Sequence, residues 1–146
     1  MPYRRLQVDL QDKCLFMRNH SEYLIMCFYS NFQSHRLSLF AACISNTKIA
    51  SKSILSNKYL IHRSIIIYSH GNATDCGGIL PRCMQLASKL EMDVLLYDYE
   101  GYGYSDGKST ECAIKRDLEA VFKYALGLYR SENIFLYGES SMNYEL

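Results

Sequence analysis

Three short apolar runs constrain this chain most: SIIIYS (64–69), DVLLYDY (93–99) and NIFLYG (133–138). Each is apolar in successive residues rather than cleanly alternating, which suits a strand buried on both faces. Between the first two lies ILPRCMQLASKLEM, where Ile79, Cys83, Leu86, Ala87 and Leu90 recur at helical spacing. Pro81 fits such a helix only in its first turn, where its missing N–H costs nothing. Between the second and third lies STECAIKRDLEAVFKYALGLYR. Here Ile114, Leu118, Val121, Phe122, Ala125 and Leu128 share one face. Ser109 or Thr110 can cap its start, and Glu111 suits the positive end of the helix dipole. Alternation of continuous apolar strands with helices predicts an α/β domain with a mostly parallel sheet and right-handed crossovers. In such sheets chemistry sits at the carboxyl ends of the strands. The loops there are HGN (70–72), DYEGYGYSDG (98–107) and GESS (138–141).

Upstream the pattern is weaker. Residues 1–22 are mixed and polar, YLIMCFY (23–29) and RLSLFAACI (36–44) have strand length, and 45–58 reads as a Ser/Lys/Asn-rich loop. The chain therefore divides into an unassigned segment, 1–63, with one or two strands, and a partial α/β core, 64–146. At 146 residues and 49% hydrophobic it has the length and composition of one globular domain. A net charge of +1 gives no reason to expect nucleic acid or electrostatic attraction to a membrane. The 13 tyrosines are scattered, without a base-stacking stripe, and read as half-buried packing residues. Cys14, Cys27, Cys43, Cys76, Cys83 and Cys112 include no C-x-x-C pair, so no metal or cofactor is expected and buried free thiols are. The start, MPYRRLQVDLQDK, has no apolar core after its charges and is not Met-Gly. Residues 23–44 are the most membrane-like stretch, but Asn31, Gln33, Ser34, His35 and Arg36 interrupt it. The expected location is cytoplasmic.

Two serines compete for attention. GYSDG (103–107) spells the G-x-S-x-G nucleophile pattern, while GESSM (138–142) breaks it at Met142. A nucleophile elbow is a sharp, strained turn from a strand directly into a helix. Ser105 lies six residues beyond Tyr99 in a glycine-rich loop, so its glycines read as turn formers. Ser140 follows its strand at once and is the better candidate nucleophile. HGN supports it independently, because in this arrangement the oxyanion hole pairs an N–H from an earlier strand–helix loop with that of the residue after the nucleophile. Those donors are the backbone near Asn72 and Ser141. His70 reads as the histidine that organises its turn.

The combination IIIYSHGNATD, VLLYDYEGYGYSDGKSTE, DLEAVFKYAL and NIFLYGESS resembles the alpha/beta-hydrolase superfamily. Within it the chain looks most like the alpha/beta-hydrolase domain-containing 17 group, which are palmitoyl-protein thioesterases. The resemblance covers roughly residues 64–141. It implies Ser140 as nucleophile, Asn72 and Ser141 at the oxyanion hole, and Asp98 with the 101–107 loop as structural neighbours of the site. The substrate it implies is an acylated protein or small acyl ester, met in peripheral contact with a membrane. It also makes the strand ending at Tyr137 central, where family members have glycine at the place of Met142.

The triad order of this fold is Ser, then Asp or Glu, then His. Only six residues follow Ser140 here, none a histidine, and Glu145 is too close in sequence to serve as the acid. The expectation is thus a serine hydrolase shortened after its elbow and incomplete or inactive as this chain. The alternative is a non-catalytic interaction protein, or degenerate hydrolase copy, that offers a strand edge to a partner. A nucleotide-binding reading fails, since the loop after 64–69 lacks G-x-G-x-x-G.

Overall fold

The computed structural model describes residues 13–20, 23–30, 39–46 and 63–139; Ser140, Ser141, Met142 and Glu145 lie outside the described residues. The described chain forms one six-stranded sheet. In chain order the elements are β1 (Lys13–His20), β2 (Tyr23–Ser30), β3 (Leu39–Asn46), β4 (Ile65–Ser69), α1 (Cys76–Leu90), β5 (Asp93–Tyr97), α2 (Glu111–Leu126) and β6 (Ile134–Gly138), with a single 3-10 turn, Ser131–Asn133, before β6. Their order across the sheet is β1-β2-β3-β5-β4-β6.

The fold is of the α/β class, and the sheet is mixed. β4 pairs in parallel with β5 and with β6, whereas β1–β2, β2–β3 and β3–β5 are antiparallel. The parallel pairs follow from the connections: a parallel neighbour needs a long crossover, and 70–92 and 98–133 each supply a helix for one. Residues 1–22 read as mixed and polar, yet Lys13–His20 is a strand, held by pairing with β2 from Lys13↔Tyr29 to His20↔Tyr23. A neighbouring strand overrides weak local preference.

Burial explains the unalternated runs. All five residues of β4 and all five of β5 are buried. Ile65, Ile67, Leu95 and Tyr97 face α2 and pack with Ile114, Val121 and Ala125. Ile66, Tyr68, Val94 and Leu96 face the other way, onto Ile79, Cys83 and Ala87 of α1. The two helices therefore cover opposite faces of β4 and β5. Asp75 caps α1 by accepting from the Gly78 N–H at 2.9 Å, so the helix begins at Cys76. That earlier start places Pro81 in the second turn, not the first, and removes one hydrogen bond to the Gly77 carbonyl. Glu91, in the left-handed region at φ 53°, ends α1. Thr110 caps α2 through its hydroxyl, which accepts from Ala113 N–H at 3.1 Å.

β6 is the outermost strand of the described sheet, and Phe135, Leu136 and Tyr137 are 50%, 43% and 41% exposed. Its apolar run reads as a buried strand, and the family resemblance makes that strand central; among the described residues it has a strand partner only on its β4 side, the apolar strand edge expected for this chain.

At the amino end of β5, buried Asp93 meets Arg63 and accepts from the Tyr129 hydroxyl at 2.8 Å. Burial raises its carboxyl pKa, with Arg63 and Tyr129 opposing. This pair ties α2's end to the sheet, away from the strands' carboxyl ends. Burial also pushes the Cys43 and Cys83 thiols up to about 12 and raises Cys76 further, so these three are inert packing groups.

Candidate active site

The chain leaves β4 through α1 to β5 on one side, then returns through α2 to β6 on the other. That reversal opens a crevice at the carboxyl ends of β4 and β6, the place where open α/β sheets bind ligands. The HGN loop and the Gly138–Glu139 turn meet there. The ladder from Ile65↔Ile134 to Ser69↔Gly138 continues one step further, with the Glu139 N–H donating to the Ser69 carbonyl at 3.1 Å.

His70 is fully buried at the root of the HGN loop. Its Nδ1–H donates to the Gly71 carbonyl at 2.9 Å, and Nε2 faces Asp98 Oδ1 at 3.4 Å. Tyr99 lies against the ring with centroids 4.4 Å apart, and Tyr102 meets it edge-on at 5.5 Å. Tyr99 also donates its hydroxyl to the His70 carbonyl at 2.7 Å. These contacts make His70 the organiser of its turn, as its place in the sequence indicates. Asp98 accepts from the Cys76 N–H at 2.7 Å, joining β5's end to the start of α1. Burial alone would raise the Asp98 carboxyl; the His70 ring and the Cys76 N–H outweigh it and hold the group below the usual carboxylate range.

Asn72 sits exposed at the mouth, and its Oδ1 accepts from the Tyr102 hydroxyl at 3.4 Å. The loop after β5 thus braces the side chain of Asn72. Ser105 has a different role. Its hydroxyl donates to the Asp98 carbonyl at 2.7 Å, and its N–H bonds to the Tyr102 carbonyl at 2.8 Å. GYSDG is a braced loop, with Gly101, Gly103 and Gly107 at φ of 80°, 49° and 93°.

The structure adds residues that the motif search passes over. Glu139 reaches back to β4, where Tyr68 donates its hydroxyl to Oε1 at 2.7 Å, and to α1, where Arg82 pairs with the same oxygen. Asp117 lies buried on α2 and accepts from the Glu100 N–H at 2.9 Å, fixing the start of the loop after β5. A signal for Asp117 was available: it stands three residues after Ile114, inside the apolar stripe. A signal for Glu139 is only its adjacency to Ser140.

Burial first, then the neighbouring Glu100 charge, pushes Asp117 up to about 6. Its value in the folded chain lies above the ordinary 3.8. Between the two the native state holds a proton that the unfolded chain has released. Stability therefore falls as pH rises through this window, from about 4 to about 6. Asp117→Asn keeps an acceptor for the Glu100 N–H and removes the charge. It is expected to flatten that slope and to be at least as stable as the natural chain at pH 8, read from urea midpoints across the range.

No family model matches this chain. Among curated proteins it is 39% identical over 77 residues to alpha/beta hydrolase domain-containing protein 17B from Homo sapiens, matching 51% of this chain and 27% of that protein. It is 38% identical over 80 residues to alpha/beta hydrolase domain-containing protein 17C from Mus musculus, matching 53% and 25%. The match thus spans about a quarter of the length of these relatives. Among solved structures, an S-formylglutathione hydrolase from Agrobacterium tumefaciens superposes with a TM-score of 0.62 at 10% identity, over 88% of this chain and 53% of that one. Est1E from Butyrivibrio proteoclasticus, solved with ferulic acid, gives 0.58 at 19% identity, over 77% and 42%. Esterase LipW from Mycobacterium marinum gives 0.56 at 12%, over 80% and 34%. Sequence and fold therefore agree that this chain carries part of an alpha/beta-hydrolase fold and is similar to the alpha/beta hydrolase domain-containing 17 group.

Proposed function

We propose that this chain carries the nucleophile half of a serine hydrolase acting on acyl thioesters or esters, of the palmitoyl-protein hydrolase kind. The observation that supports it best is the juxtaposition of the HGN loop with the Gly138–Glu139 turn, through the Glu139 N–H bond to Ser69. Ser140 is the next residue along the chain.

In this reading Ser140 Oγ attacks the acyl carbonyl, and the oxyanion is held by N–H groups near Asn72 and of Ser141. Collapse expels the thiolate or alkoxide, which takes up a proton, and leaves an acyl-serine that water hydrolyses. The proton passes through a histidine held by an acid. In this fold both follow the serine, and no histidine stands after Ser140 in the 146 residues. The reading therefore requires a base from outside these residues, or accepts the weak reactivity that an oxyanion hole alone sustains. An acylated protein substrate sets the expected location, in the cytoplasm and in peripheral contact with a membrane. No helix among the described residues is long and apolar enough to cross one.

The test is covalent labelling of the purified chain with a fluorophosphonate. Labelling that disappears in Ser140→Ala is the expected result. No labelling, or labelling that survives the substitution, overturns the proposal. That outcome would favour a second reading, a non-catalytic protein that adds a partner's strand along β6, for which the exposed Phe135, Leu136 and Tyr137 on an outer strand are the supporting observation.

A further inference from the structure

We propose that Glu139 is a positioning residue, a clamp that fixes the end of β6, one residue before Ser140 in the chain, against the loop carrying Asn72; this rests on the reading of Ser140 given above. Two elements, β4 and α1, converge on its one carboxylate, and its backbone adds a further bond to β4. Tyr68 of β4 donates its hydroxyl at 2.7 Å, Arg82 of α1 pairs with the same Oε1, and the backbone N–H of Glu139 is bonded to Ser69 at 3.1 Å. Tyr68 is itself immobile: it is 1% exposed and stacks on Tyr137 with centroids 4.9 Å apart. The Glu139 β-carbon also lies within 3.9 Å of the position a side chain at Gly71 would take, so turn and loop are already in near contact.

The partners differ in weight. Arg82 is well exposed, and an exposed ion pair is screened and entropically loose. The Tyr68 bond joins a buried donor to a charged acceptor, the stronger kind. Burial and the Glu139 contact both raise the Tyr68 hydroxyl's pKa, so it stays a donor throughout the neutral range. The clamp is therefore Tyr68–Glu139, with Arg82 orienting the carboxylate from outside.

Its purpose follows from what an oxyanion hole demands. The two donors come from separate loops, and each must sit about 2.7–3.1 Å from one oxygen. A displacement of about 1 Å can cost on the order of 10²-fold in rate. Beyond Gly138, among the described residues, the β4–β6 ladder is extended by the Glu139 N–H bond alone. The side-chain clamp supplies the remaining constraint one residue before the nucleophile.

The experiment uses the full 146-residue chain and two readouts. In Glu139→Ala, hydrogen exchange at the Glu139-equivalent amide and across 69–72 is expected to rise about tenfold or more. The limiting rate of fluorophosphonate labelling is expected to fall about tenfold or more, with the probe concentration for half-saturation unchanged. Tyr68→Phe should act in the same direction, while Glu139→Gln, which keeps an acceptor for Tyr68, should stay near the natural chain in both. Unchanged exchange and labelling in Glu139→Ala overturn the clamp. If the natural chain does not label, the serine-hydrolase reading fails and the exchange readout alone decides the clamp. If Glu139→Ala does not fold, Tyr68→Phe against Glu139→Gln decides it: equal behaviour of the two overturns the proposal.

Discussion

Asp98→Ala is expected to destabilise the chain by about 1.5–3 kcal/mol at neutral pH, the range for losing a hydrogen bond to a charged group. The side chain is 1% exposed and faces two buried groups. The Cys76 N–H loses its acceptor at 2.7 Å, and His70 Nε2, which makes no hydrogen bond to the described residues, loses the carboxylate facing it at 3.4 Å. Each buried polar group left unsatisfied costs about 1–3 kcal/mol. Asp98→Asn keeps an acceptor for Cys76 and should lose less. The effect has a definite pH dependence. Because the folded state holds the Asp98 carboxyl below its ordinary 3.8, its stabilisation is complete above that value. It is lost as pH falls through the lower folded value. Urea midpoints should thus show the gap between natural chain and Asp98→Ala narrowing below about pH 4. A gap that is absent at pH 7, or one that widens in acid, would show that the carboxylate does not hold these loops.

Much of this arrangement was legible in the sequence, and the exceptions have physical causes. The unalternated runs 64–69 and 93–99 announce strands buried on both faces, because helices above and below demand apolar side chains on each. Thr110 announces the start of α2, since a threonine hydroxyl before an apolar-periodic run has one good use. That GYSDG is a braced loop and forms no elbow was legible too, from its distance to a strand: Ser105 donates to the Asp98 carbonyl. Other features were not legible. β1 forms because β2 offers it a ladder, a long-range property that no local window contains. Pro81 suits a first-turn position, but the cap at Asp75 sets the start of α1 earlier than the apolar periodicity does. Glu139 reads as an ordinary acidic residue after a strand, and although the resemblance puts Asp98 beside the site and Asp117 falls within the apolar stripe of α2, the sequence does not give their partners. Those partners lie 17 to 71 residues away in the chain and meet them only in three dimensions. Ser140, Ser141 and Met142 lie outside the described residues.

Gly103→Ala is expected to cost about 2–4 kcal/mol, a large value for adding one methyl group at an exposed position. Two effects combine. The residue sits at φ 49°, where any side chain is disfavoured. Its added β-carbon would also overlap Asp98 Oδ2 and lie 2.6 Å from Cγ. A flexible side chain could swing aside, but Asp98 is held by the Cys76 N–H and enclosed beside His70, so yielding breaks the bonds that make it useful. This origin can be separated from a plain backbone penalty. In the Asp98→Ala background the obstructing carboxylate is gone, and only the conformational cost at residue 103 remains. The double variant is therefore expected to be more stable than the sum of the two single losses implies, by about 1 kcal/mol or more, the mark of residues in direct contact. Four denaturant titrations close the cycle. Strict additivity would mean that the glycine is required by its backbone angle alone. A positive coupling would mean that the loop after β5 is glycine-rich at this point so that a buried carboxylate can hold the HGN loop from beneath.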